Sequence, residues 1–279
     1  MLDKITNLVF SGASTKIFLF IGFLKYLEEC DINFLDNIKS FAGTSSGSII
    51  STGLALGFTV SELEELLIKL DFSQFKEINS EGIINFLDNY GLNNCYMFEK
   101  VFRIIFKKKI NDENITFQEL FLKTSKTLTI VASNITRAKT IYFNHINTPH
   151  VKVIDALISS ISIPIIYMPK KINDDLYVDG GLTNNFPINL FEDKIESTLG
   201  AVVVQHHTKF ETNTFFDFLL VMMFCNIESK NKEILQKYRN VIKLSSDVNI
   251  FDFDMDINLK TSIIKLGYDQ TLLFFKKNQ

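Results

Sequence analysis

The pattern that most restricts this chain is a strand–turn–helix unit that occurs twice before Gly57. Ile5 to Phe10 is a short apolar run suited to a buried strand, and the small-residue turn Ser11-Gly12-Ala13-Ser14 follows it. Ile17 to Glu29 then places Ile17, Phe20, Ile21, Leu24, Tyr26 and Leu27 at largely helical spacing. Ile38 to Ala42 reads as a second strand. It enters a glycine-rich turn and a helix from Ser48 to Leu56, which Gly57 ends. A third helix, Glu62 to Leu70, starts behind Thr59 or Ser61 as N-cap. Parallel strands need crossover helices, and those helices cover the sheet on both faces. This order therefore predicts an α/β fold around a mostly parallel sheet.

Beyond Leu70 the stretch 72–124 is less regular, mainly helical and rich in Phe and Lys, with a capping box at Thr116-Phe117-Gln118-Glu119. We place a lid or substrate-entry cover here. Strands are expected at Leu128–Ala132, Thr140–Phe143, Leu176–Val178 and Leu199–Val204, with a helix from Val151 to Ser160 that stops before Pro164. Phe215–Gln236 and Thr261–Lys276 read as amphipathic helices, and Phe and Met around Phe215 to Cys225 are candidates to line an acyl pocket. No repeat or Pro/Ser-rich linker divides the 279 residues. One domain is expected, with a motif-bearing core at about 5–205 and a helical C-terminal part at about 211–279.

Composition narrows the function. At 46% hydrophobic and 22% charged residues the chain lies far from the disordered regime. Its formal charge of −3 excludes the basic footprint of a dedicated nucleic-acid binder. Cys30, Cys95 and Cys225 are odd in number and form no CxxC or Cys/His cluster, which argues against a disulfide framework or a structural zinc and for a reducing compartment. The start Met1-Leu2-Asp3-Lys4-Ile5 lacks a basic leader, and the apolar runs Ile17–Leu24 and Phe215–Cys225 are shorter than the roughly 20 residues a spanning helix needs. A cytoplasmic protein able to touch a membrane peripherally is expected. Lysine far outnumbers arginine (Arg103, Arg137 and Arg239 only), a bias that AT-rich codons produce.

Gly43-Thr44-Ser45-Ser46-Gly47 is a G-x-S-x-G sequence set between a predicted strand and a predicted helix. A sharp strand-to-helix turn strains the central serine and needs glycines on either side. It also projects the hydroxyl beside a helix N-terminus that favours developing negative charge. The bare pattern also fits a structural Gly/Ser turn; the flanking strand and helix favour the nucleophile. Asp179-Gly180-Gly181 follows the strand Leu176–Val178, so a carboxylate stands at another strand's C-terminal end. It is either a base for Ser45 or a solvated turn residue. Ser11 to Lys16 lacks the G-K-[ST] ending of a Walker A loop, which argues against nucleotide binding.

Together these segments resemble the patatin-like phospholipases. Leu8-Val9-Phe10-Ser11-Gly12-Ala13-Ser14-Thr15-Lys16, running into Ile21 to Glu29, is similar to that family's glycine-rich oxyanion segment and following helix. Phe41 to Ser48 is similar to its nucleophile elbow, and Asp155 to Pro164 to its helix-then-Pro signature. Tyr177 to Pro187 is similar to the segment bearing its aspartate. Order and spacing hold over about residues 5–190.

The resemblance implies a three-layer α/β/α fold and a catalytic dyad. Ser45 would be the nucleophile and Asp179 the base, with backbone N–H groups of Gly12, Ala13 and Ser14 as the oxyanion hole. Gly43 and Gly47 would shape the elbow, and Gly180 and Gly181 the aspartate turn. It implies fatty-acyl ester hydrolysis on phospholipid or acylglycerol through an acyl-enzyme, with no cofactor or metal; some relatives need a protein activator. The chain departs from the family where Ala13, Ser14 and Ile17 replace glycines, while Lys16 keeps the basic position. A replaced position that needs φ > 0 would cost about 1 kcal/mol or more.

Two rivals remain. Ser45, Asp179 and His206 or His207 follow the Ser…Asp…His order of an α/β-hydrolase triad, although only one strand precedes Ser45 and the histidines directly end a strand. The altered oxyanion loop also fits a catalytically impaired binding or scaffold protein. His145 and His150 lie in a polar loop without a carboxylate cluster, which does not suit a metal. Lys107-Lys108-Lys109, Lys170-Lys171 and Lys276-Lys277 read as solvated surface, or as contacts to anionic headgroups where they border an entry cleft.

Overall fold

All four residues of β1 (Asn7–Phe10) are buried, as a central strand covered on both faces requires. The computed structural model describes residues 2–75, 86–205, 212–249 and 252–277. After β1 the strands are β2 (Ser40–Thr44), β3 (Gly91–Asn93), β4 (Thr127–Asn134), β5 (Lys139–Phe143), β6 (Ile165–Tyr167), β7 (Lys170–Ile172), β8 (Asp175–Asp179), β9 (Thr198–Val203) and β10 (Val241–Leu244). The longer helices are α1 (Phe18–Cys30), α2 (Ser46–Ala55), α3 (Val60–Lys69), α4 (Tyr96–Ile110), α5 (Phe117–Thr124), α6 (Val153–Ile161), α7 (Phe215–Lys237) and α8 (Ile257–Lys277).

The sheet runs β10-β9-β1-β2-β4 with every pair parallel, and β8, β7 and β5 join antiparallel around β4. β3 and β6 pair separately. Side chains alternate across the sheet. Leu8, Phe10 and Phe41 enter a large core with α1, α2, α6 and α8. Val9, Ala42, Val202 and Val241 pack on the other face against Phe186, Ile188 and Tyr238. The 3₁₀ segment Pro187–Ser197 and the end of α7 make this second layer thin.

The predicted strands and helices occur, with shifted ends. The chain before α1 first forms a 3₁₀ turn at Ser14–Ile17. α2 begins at Ser46, two residues before the expected Ser48, which makes Ser45 its N-cap. Thr59 caps α3 through a capping box with Glu62. Within 72–124, α4 buries Phe98, Phe102, Phe106 and Ile110 in the core.

Candidate active site

The site arises from how three strands share one strand's edges. β5 and β8 both pair with residues 132–134 of β4, so they lie on opposite edges; β5 and β2 both pair with residues 130–131, so they do too. β2 and β8 therefore occupy the same edge of β4, one parallel and the other antiparallel. Their C-terminal ends run toward each other and stop on adjacent rungs, Thr44 opposite Val131 and Asp179 opposite Ala132. The next residue after Thr44 is Ser45. The junction is tight: a Cβ on Gly180 would lie 2.4 Å from the Val131 carbonyl oxygen. Thr44 Oγ1 donates to the Asn184 carbonyl at 2.9 Å.

Ser45 has φ 53° and ψ −127°, a conformation that strains any residue with a Cβ. The elbow around it is built on backbone contact. A Cβ on Gly43 would meet the Gly47 carbonyl oxygen at 2.3 Å, and one on Gly47 would meet that of Ser11 at 2.4 Å. Only glycine fits at either position. The Ser45 N–H donates to Ser160 Oγ at 2.9 Å, so α6 holds the turn from the side.

Asp179 is 4% exposed. Its N–H donates to the Ser162 carbonyl at 2.8 Å, its carbonyl accepts from Ser133 Oγ at 2.9 Å, and Oδ1 accepts from the Gly181 N–H at 2.7 Å. Burial pushes its pKa up to about 7, against smaller opposing pulls from the Ser45 hydroxyl and the Gly181 N–H. Oδ2 forms no hydrogen bond of full geometry. The serine hydroxyl thus sits within electrostatic reach of the carboxylate without a closed bond to it, a looseness common before substrate binds.

The three expected oxyanion donors stand beside this pair but are not equivalent. The Gly12 N–H donates to the Asn185 carbonyl at 3.0 Å, and the Ala13 N–H to Ser46 Oγ at 2.9 Å. The Ser14 N–H has no partner among the described residues. Ala13, at φ −146°, replaces a family glycine without strain. Ser14, at φ 48°, does not. Lys16 is 1% exposed; its Nζ donates to the Ser246 carbonyl at 2.8 Å and to Gln205 Oε1 at 3.4 Å, tying the loop to the chain beyond β10. Burial lowers its pKa, opposed by Asp247 and Glu228.

Gly12, Ala13, Ser14, Ser45 and Asp179 line one cavity of about 50 Å³. That space holds a few water-sized groups. Ile163 lines it too, with Met223, Phe224 and Ile227 of α7. None of the described residues of 72–124, where a cover was expected, lines the cavity. Glu228 and Asn231 of α7 also reach it; in a helix mixed with Lys and Glu they carry no signal that separates them from surface residues.

His206 and His207 lie outside the described residues. His145 stacks on Phe121 with ring centroids 3.8 Å apart, away from the cavity. Lys170 pairs with Asp155 and Glu99 between α6 and α4. No helix among the described residues is long and apolar enough to cross a membrane.

A serine at a strained strand-to-helix elbow and a buried aspartate at the end of β8, which runs antiparallel to β4, line one cavity on a mostly parallel α/β sheet. A family model described as patatin-like phospholipase matches residues 8–191, and the chain belongs to that family. It is 30% identical to the uncharacterized protein R571 of Acanthamoeba polyphaga mimivirus, over 95% of this chain and 92% of that protein. It is 36% identical to the probable lipid hydrolase 463L of Invertebrate iridescent virus 6, over 66% of this chain and 62% of that protein. Among solved structures, VipD from Legionella pneumophila shares the fold with a TM-score of 0.64 at 14% identity, over 98% of this chain and 67% of VipD.

Proposed function

We propose that the protein is a lipid acyl hydrolase in which Ser45 is the nucleophile and Asp179 the base. The observation that supports this most is the head-to-head meeting of β2 and β8, which leaves a buried serine and a buried carboxylate at one cavity. The ionised Asp179 carboxylate, whose pKa of about 7 makes it a stronger base than an ordinary aspartate, takes the Ser45 proton as Oγ attacks the ester carbonyl carbon. The carbonyl oxygen becomes an oxyanion beside the Ser14 N–H and the positive end of α2. Asp179 returns the proton to the departing alcohol, leaving an acyl-serine. Water then attacks the acyl carbon, Asp179 accepts its proton, and Ser45 leaves with it as the fatty acid is released. The substrates are phospholipids or acylglycerols, a class consistent with the name of the iridescent-virus relative.

Fatty-acid release from both lipid types by wild type, Ser45→Ala and Asp179→Asn tests this. Each substitution is expected to cut turnover by at least about 10³-fold in protein that still folds. Wild-type turnover that survives either change overturns the dyad. A double His206→Ala/His207→Ala variant is expected to lose little; complete loss would favour the triad. The engaged Gly12 and Ala13 N–H groups favour a second reading, a binding protein of the same shape. Fluorophosphonate labelling of Ser45 supports the hydrolase, and a folded wild type that resists the probe supports the binding protein.

A further inference from the structure

α7 is 23 residues long, yet among its described residues only Ile227 and Asn231 are buried. They stand one turn apart, and both line the cavity above Ser45. Asn231 is 1% exposed, and neither its Nδ2 nor its Oδ1 has a hydrogen-bond partner among the described residues. A buried amide left in this state carries the full desolvation penalty of its unmade bonds, whereas a leucine of similar volume would not. The most buried of the helix's described positions is therefore given to an amide that no described residue bonds. Across the cavity Asp179 Oδ2 is also unpaired, and Glu228, next to Ile227, adds a further acceptor.

The ligand that satisfies such an amide must offer a donor and an acceptor close together. A fully acylated glycerol presents acceptors alone and leaves Oδ1 unpaired. A monoacylated glycerol presents a hydroxyl on the carbon next to its ester. That hydroxyl donates to Oδ1 while an adjacent oxygen accepts from Nδ2. We propose that Asn231 is a specificity-determining residue that binds the glycerol part of the substrate through both amide atoms and selects acyl esters with a free neighbouring hydroxyl. The reaction it serves is the hydrolysis proposed above; the binding preference stands without it.

Asn231→Leu removes both hydrogen-bonding atoms at nearly constant volume. Without lipid the variant is expected to melt at a higher temperature than wild type. A lower melting temperature means that the amide is bonded within the folded protein and overturns the proposal. Binding is read with two non-hydrolysable ethers in the same detergent micelle, a monoalkylglycerol and its 2,3-di-O-methyl derivative of equal chain length, which presents acceptors alone. Wild type is expected to favour the monoalkylglycerol by about tenfold, and Asn231→Leu to bring the two within about twofold. Equal binding by wild type, or a preference that survives in the variant, overturns the assignment. Ether binding needs no turnover. A protein that keeps the preference but resists fluorophosphonate loses the hydrolase reading alone, whereas one that hydrolyses lipid without the preference loses this proposal alone.

Discussion

α7 and α8 are alike as sequence, two amphipathic C-terminal helices of 23 and 21 residues, and unlike as structure. α8 buries Ile263, Ile264 and Phe275 against the core and meets α1 backbone to backbone. A Cβ on Gly267 would lie 2.2 Å from the Leu19 carbonyl oxygen, and one on Gly22 would lie 2.0 Å from that of Ile264. Its buried polar groups are bonded. Lys260 Nζ donates to the Ile68 and Leu70 carbonyls at 3.0 and 2.7 Å, closing the end of α3, and Thr271 Oγ1 donates to the Gly267 carbonyl. α7 leaves Phe215, Phe218 and Met222 exposed and buries an unpaired amide. The α1–α8 contact obeys the rules of packing and polar satisfaction. The walls of the cavity break them, in the strained Ser45, the half-bonded Asp179 and the orphan Asn231. Such exceptions gather where a protein gives up stability for a task.

Substitutions should therefore move stability in opposite directions in the two regions. Ile264→Ala, at a position 4% exposed, is expected to cost about 2–5 kcal/mol in denaturant unfolding. A cost below about 1 kcal/mol would remove the structural role assigned to α8. Asp179→Asn is expected to do the reverse. A native carboxyl pKa of about 7 lies above the ordinary value of 3.8, so the folded state holds this proton more tightly than the unfolded chain. That contribution is complete below about pH 4 and is lost as pH rises through 7. The asparagine should gain stability on the order of 1–4 kcal/mol at pH 8 and little at pH 4, read from melts at both pH values. Fatty-acid release by wild type should rise through pH 7 as Asp179 loses its proton. Ser45→Gly, which relieves the positive φ, should gain about 1 kcal/mol while abolishing turnover. Phe218→Ser and Met222→Ser, on the outer face of α7, should stay within about 0.5 kcal/mol of wild type. A larger loss would mean that this face is packed.

Much of the frame is legible in the sequence because its signals are local. Val9 and Phe10 before a small-residue turn, and Phe41 and Ala42 before Gly43, mark strands whose partners hardly matter to the reading. β10 escapes because it has four residues, with Lys243 interrupting them, at the sheet's edge. β3, β6 and β7 have three residues each, too few for any period to register. Ser45 and Asp179 each stand out locally, but their meeting depends on β4, more than 80 residues from one and more than 40 from the other. The residues alone left Asp179 as either a base for Ser45 or a solvated turn residue, and the resemblance to a family made the pair an expectation. Which loop N–H stays unpaired turns on Asn185 and Ser46, and no local pattern encodes that. Among the described residues of 72–124, where a cover was expected, Phe98, Phe102 and Phe106 are used in the core, whereas Met223 and Phe224 of the stretch read as a candidate acyl-pocket lining do line the cavity.

Val131 and Ala132 hold no reacting atom, yet they act as the ruler for the whole centre. One residue added to or removed from β4 at this point would change the spacing between hydroxyl and carboxylate by a full rung, roughly 3.3 Å, and turn one of them to the opposite side of the sheet. A strand that does no chemistry is thus the part of the molecule with the least freedom to change length.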